Sequence, residues 1–125
     1  MMRRHDGQDG AHRDRLNDLR EPTKRLRRRI PDVYEGFLAL SRGAMQDGAL
    51  PARYKELIAL ALAVSEHCEG CIAYHARGAA RAGASAQEVA EALGVTVLIG
   101  GGPAASDYAP RALDAFMEFS DDGRA

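Results

Sequence analysis

A chain of 125 residues, 46% hydrophobic and 28% charged, with a formal net charge of −1, is long enough for one domain with its own core and too short for two ordinary ones. No run approaches the ~18 apolar residues that a membrane span needs, and no apolar h-region follows the basic start. Insertion and secretion are therefore not expected, and the expected location is cytoplasmic. The charge is uneven, since residues 1–30 carry ten Lys or Arg against five Asp or Glu and residues 31–125 carry seven against thirteen.

Residues 1–29 read as a basic N-terminal arm. Met1 to Gly10 is rich in Gly, Asp and Arg and has no apolar face, so disorder is expected there. From about His12 to Arg29 the pattern allows a short polar helix with Leu16, Leu19 and Leu26 as its anchors. The run Arg25-Leu26-Arg27-Arg28-Arg29 invites a nucleic-acid reading through phosphate contacts. No binding motif accompanies it and no aromatics interleave, and a charged arm packed on a neighbouring subunit's acidic surface explains it equally well. Nucleic acid is not an expected partner.

Residues 30–119 read as the folded domain. Pro31 suits a first helical position, and Val33, Phe37, Leu40 and Ala44 recur at helical spacing up to Gln46, before the turn signal Asp47-Gly48. Pro51 opens the next segment. Lys55 to Val64 is apolar all round after its first turn and predicts a central buried helix. Glu56 lies at the edge of that run, where a carboxylate ordinarily complements the helix dipole.

A new helix should begin near Cys68 or Glu69 and run to about Ala82, with Gly83 as its C-terminal stop. Ser85 and Glu88 form a capping box for the following helix, whose inward face is Val89, Leu93, Thr96 and Val97. Gly100-Gly101-Gly102-Pro103 lacks the Lys-Ser/Thr of a phosphate loop and follows no strand, so it reads as a break or close approach between helices. The last helix is expected from about Ala104 to Phe119, and residues 120–125 as a disordered tail. No segment alternates with period two, so the fold class is all-α, a compact domain of five or six helices. Many inward positions are Ala or Gly, which limits the apolar area each helix can bury, and a homo-oligomer is expected.

The chemistry-bearing stretch is Ser65-Glu66-His67-Cys68-Glu69-Gly70-Cys71-Ile72-Ala73-Tyr74-His75. Both cysteines of the chain lie in it, and on a helix Cys68, Cys71 and His75 share one face. A Cys-x-x-Cys pair permits a reversible dithiol/disulfide switch or two corners of a metal site. A closed zinc site wants four ligands and no second Cys pair exists, so redox chemistry is favoured over zinc held by Cys68, Cys71, His75 and one of Glu66, His67 or Glu56. Two cysteines buried as small hydrophobes is the plainest alternative. In the first turn of a helix, unpaired N–H groups and the positive dipole end stabilise a thiolate, and His75 is placed to take the thiol proton. No cofactor is called for.

Glu56 in a Glu-Leu-Ile-x-Leu-Ala context, twelve residues before Cys68-x-x-Cys71-x-x-x-His75 and followed by an Ala-Ser-x-x-Glu-Val-x-Glu-Ala helix, resembles the carboxymuconolactone decarboxylase family in its AhpD-like alkylhydroperoxidase branch. The resemblance covers about residues 30 to 119. It implies an all-helical fold, trimers or hexamers with sites near subunit interfaces, and thiol-dependent reduction of organic hydroperoxide or hydrogen peroxide with an external dithiol as reductant. It also implies that Cys68 and Cys71 cycle and that Glu56 and His75 form a proton relay. Prototype alkylhydroperoxidases place a histidine just before the second cysteine, where this chain has Gly70. The alternatives are a dithiol–disulfide reductase or redox sensor and, further off, a decarboxylase-type lyase or zinc-binding module.

Overall fold

The computed structural model describes residues 10–124, with side chains as far as Ser120. Among them stand six α-helices and no strand: α1 (Ala11–Arg29), α2 (Pro31–Met45), α3 (Ala52–Ser65), α4 (Glu69–Arg81), α5 (Ala86–Gly100) and α6 (Ala109–Arg124). A π-helical turn, Ala104–Tyr108, leads into α6. The disorder expected of the first nine residues lies outside the described residues.

Local chemistry sets most of the boundaries. Pro31 occupies the first turn of α2, where its missing N–H has no helical partner in any case. Gly83 takes φ 90° just beyond α4, a left-handed stop that glycine adopts without a Cβ penalty. The Ser85–Glu88 capping box is formed in both directions, with the Glu88 N–H donating to Ser85 Oγ at 3.0 Å and the Ser85 N–H to Glu88 Oε1 at 2.9 Å. Gly101 at φ 65° breaks the chain after α5, and Gly100 lets the chain return so closely that an added Cβ would lie 3.0 Å from Ala104.

The core lies among α3, α4, α5 and α6. Leu60, Val64, Ile72, Val89 and Phe116 are its largest fully buried side chains. α4 packs most extensively against α3 and α6. Its Ala73, Ala76 and Ala79 are fully buried, as are Ala112 and Ala115 of α6, and such small side chains permit a close approach.

α1 is mostly polar yet it docks. Its N-cap Gly10 offers no side chain, and Glu118 from α6 accepts the free N–H groups of His12 at 3.2 Å and Arg13 at 2.8 Å instead. His12 is buried with Nε2 3.0 Å from Asp114, and Arg15 pairs with Glu69 at 2.8 Å. Of the three leucines expected to anchor the arm, Leu16 packs against the core while Leu19 and Leu26 stay about half exposed.

Two expectations, for α3 and for the last helix, are corrected. In α2 the helical spacing of Val33, Phe37, Leu40 and Ala44 is kept, but no residue of α2 is buried within the single chain. α2 crosses only α1 and α3, so its apolar stripe has nothing to pack on. Nor is α3 buried all round, since Leu57, Leu60, Ala63 and Val64 are inside while Ile58 and Leu62 face out. The last α-helix starts at Ala109 after the π-helical turn and continues past Phe119 to Arg124, because no helix breaker intervenes between Ser120 and Gly123.

Candidate active site

The link from α3 to α4 is short and tightly specified. After Ser65 closes α3, His67 adopts φ 57°, a left-handed conformation that side chains avoid. Its neighbours hold it there. The His67 ring stacks on Tyr108 with centroids 4.2 Å apart, and the Cys68 N–H donates to the Ala63 carbonyl at 3.1 Å. Cys68 is thereby delivered as the N-cap of α4, and its Sγ accepts the Cys71 N–H at 3.2 Å.

Cys68 and Cys71 form a disulfide across the first turn of α4, with Cα atoms 5.2 Å apart. Cys68 is half-buried and Cys71 exposed.

His75 lies one turn beyond Cys71 on the same face. Its Nδ1 is 2.8 Å from Glu56 Oε1, and both side chains are largely shielded, His75 at 24% and Glu56 at 17% exposure. A carboxylate only accepts, so the neutral ring donates through Nδ1–H and keeps a lone pair at Nε2. That is the tautomer a general base needs. Glu56 sits in the second turn of α3 and reaches α4 because Gly78 leaves space for it. A Cβ at Gly78 would come within 2.5 Å of the Glu56 carboxyl carbon. Tyr74 meets the His75 ring edge-on at 5.1 Å and fixes its plane.

Gly70 also has a packing reason. A Cβ there would lie 3.2 Å from Leu19 Cδ1, so α1 occupies the space above the turn between the cysteines. Glu66 is exposed and has no contact with the cysteines among those described, and His67 is turned to Tyr108. Among the described residues, no group of three or more His, Cys, Asp or Glu side chains is placed to hold a metal ion. No described helix is long and apolar enough to cross a membrane.

The structure thus brings Cys68 to Cys71 and Glu56 to His75. Sequence reasoning missed Gly78, Leu19 and Tyr108 as residues that position them. Each acts through a contact between elements distant in the chain, and only Gly78, a glycine in mid-helix, carries a local signal.

Comparison with known proteins bears on the family and the fold. The model of the carboxymuconolactone decarboxylase family matches residues 31–115. An uncharacterized protein from Cupriavidus necator is 39% identical over 102 residues, 82% of this chain and 89% of its own length. Uncharacterized protein 4 in the cox locus of Paracoccus denitrificans is 43% identical over 86 residues, 69% of this chain and 77% of its own. The crystal structure of an apo carboxymuconolactone decarboxylase family protein from Legionella pneumophila superposes with a TM-score of 0.85 at 40% identity, covering 89% of this chain and 98% of that one.

Proposed function

The chain belongs to the carboxymuconolactone decarboxylase family, and from that premise we propose that it is a thiol-dependent peroxidase of the AhpD-like type. The observation that carries the reading is the pairing of Cys68 with Cys71 at the N-terminus of α4, one turn from a His75 that Glu56 holds by Nδ1.

In this scheme His75 Nε2 takes the proton of the reduced Cys71 thiol, since Cys71 is the exposed cysteine and the one a turn from His75. The thiolate attacks the outer oxygen of a hydroperoxide. The O–O bond breaks, the alcohol leaves with the proton returned by His75, and Cys71 keeps the oxygen as a sulfenic acid. Cys68 then attacks that sulfur, water departs, and the disulfide forms. An external dithiol restores both thiols by exchange. The sum is one hydroperoxide and one external dithiol consumed, with one alcohol, one water and one external disulfide produced.

The same reading makes the protein a homo-oligomer, a trimer or hexamer. Support comes from the uncovered apolar side chains Val33, Phe37 and Leu40 on α2, together with Leu98 and Ile99 at the end of α5. Covering each such side chain contributes roughly 1–2 kcal/mol.

Cysteine variants test the scheme. Cys68→Ser treated with one equivalent of an organic hydroperoxide should gain one oxygen on Cys71 by intact mass and peptide mapping, and Cys71→Ser should gain none. Full peroxide turnover in both variants would refute it. A second reading, dithiol–disulfide exchange without peroxide turnover, is favoured by Gly70, which supplies no proton-transferring side chain between the cysteines. It predicts rapid reduction of a small disulfide by the reduced protein and hydroperoxide oxidation no faster than that of a free dithiol.

A further inference from the structure

A recess of about 350 Å³ opens beside Glu56, lined by Tyr74, Arg77, Gly78, Arg81 and Ala82. Its charge is unbalanced. Glu56 is the one carboxylate among the residues that line it, and that group is already engaged by His75. Neither Arg77 nor Arg81 has a carboxylate partner among the described residues, and Arg77 only lies over the Tyr74 ring, 5.4 Å from its centroid. Burial first, then the repulsion of the neighbouring Arg81 and Arg20 guanidiniums, pulls the Arg77 pKa below the ordinary guanidinium value. A guanidinium stays charged under such pressure, so the cluster holds uncompensated positive charge.

The recess also reaches back towards the cysteines. Tyr74, which lines it, lies one turn of α4 beyond Cys71, and Arg77 and Arg81 follow on the same side of the helix. At a rise of ~1.5 Å per residue, Arg77 lies about 9 Å and Arg81 about 15 Å along the axis from Cys71. That span suits a medium-length acyl chain lying over the exposed Tyr74 ring. On the α1 side of the same helix terminus, a recess of about 480 Å³ presents Asp14, Asp18 and the Arg15–Glu69 pair, so its carboxylates outnumber its one guanidinium.

We propose that the recess beside Glu56 binds the carboxylate of an acyl-chain hydroperoxide, with Arg77 and Arg81 as counter-ions that place the hydroperoxide end at Cys71. The proposal rests on the peroxidase reading and names the substrate class of that site. Paired N–H groups on two guanidiniums grip a carboxylate far better than a neutral tail.

The test compares ω-hydroperoxyoctanoate with octyl hydroperoxide as oxidants of the fully reduced protein, and measures octanoate binding to the oxidised protein by calorimetry. The wild type should favour the carboxylated oxidant by about tenfold at low salt, and the preference should shrink as salt screens the pair. In Arg77→Gln/Arg81→Gln the preference should fall to within about twofold and octanoate binding should weaken about tenfold, with Arg77→Lys/Arg81→Lys restoring part of both. Equal rates in the wild type, or a preference kept in the Gln double variant, would overturn the proposal while leaving the peroxidase reading intact. Should neither hydroperoxide react, the peroxidase reading fails, and octanoate binding that depends on the two arginines still supports the anion site. Absence of both reaction and binding overturns both.

Discussion

α2 and α4 are of similar length, yet they occupy opposite situations. α2 carries Val33, Phe37, Leu38 and Leu40 and buries none of its residues, whereas α4 carries mainly alanines on its inner face and buries Ile72, Ala73, Ala76 and Ala79. Burial in a single chain is decided by which partners can come close, and not by apolar content. Alanine lets α4 sit against both α3 and α6, and this fixes the frame in which Glu56 reaches His75. The bulky stripe of α2 stays uncovered in the single chain, and in the proposed homo-oligomer it is the surface that a second copy would cover. On the proposed reading, α4 holds the chemistry and α2 the assembly.

Substitutions can break that division of labour. The largest effect is expected from Phe37→Glu with Leu40→Glu, which puts two charges on the α2 stripe. Light scattering should show the loss of the oligomer with helical content retained, and an unchanged subunit count would remove α2 from the interface. Next comes Glu56→Gln, which removes the ring's charged partner while keeping its size. Disulfide formation with hydroperoxide should slow by about 100-fold, within the range of a lost acid–base contribution.

Gly78→Ala sharpens the comparison, because it separates stability from chemistry. Alanine favours the helix by ~0.5–1 kcal/mol, but its methyl displaces the Glu56 carboxylate. The expected outcome is an unchanged or raised Tm with a rate about tenfold lower. A variant as fast as the wild type would show that the Glu56–His75 contact does not set the rate. The smallest effect belongs to Ser85→Ala, remote from both helices, which should cost about 1 kcal/mol of stability in urea unfolding and leave the peroxide rate alone.

What the sequence revealed and what it hid divide along the same line. The start of α4 at the cysteines, its stop at Gly83 and the Ser85–Glu88 box rest on contacts within a few residues, and such contacts are written in order along the chain. The Cys68, Cys71 and His75 face followed from helical spacing, and Glu56 as their partner followed from the family resemblance. The hidden features all join distant segments. Glu118 caps α1 across more than one hundred residues, Leu19 packs on Gly70, and Gly78 admits Glu56. The exposure of the α2 stripe was not legible for a related reason, since helical periodicity marks an apolar face without saying what packs on it. The π-helical turn at Ala104–Tyr108 has no comparable signature in its sequence and follows the close approach of Gly100 to Ala104.

The central claim is that the Glu56–His75 pair makes the Cys68–Cys71 dithiol a peroxide-reactive one. The most direct test is the rate at which fully reduced, metal-free protein forms that disulfide with a slight excess of organic hydroperoxide, followed by stopped-flow and by loss of two hydrogens in intact mass. The account predicts a rate at least about 100-fold above that of a free dithiol at the same pH, as expected of general-base assistance. A rate equal to that of the free dithiol would contradict it.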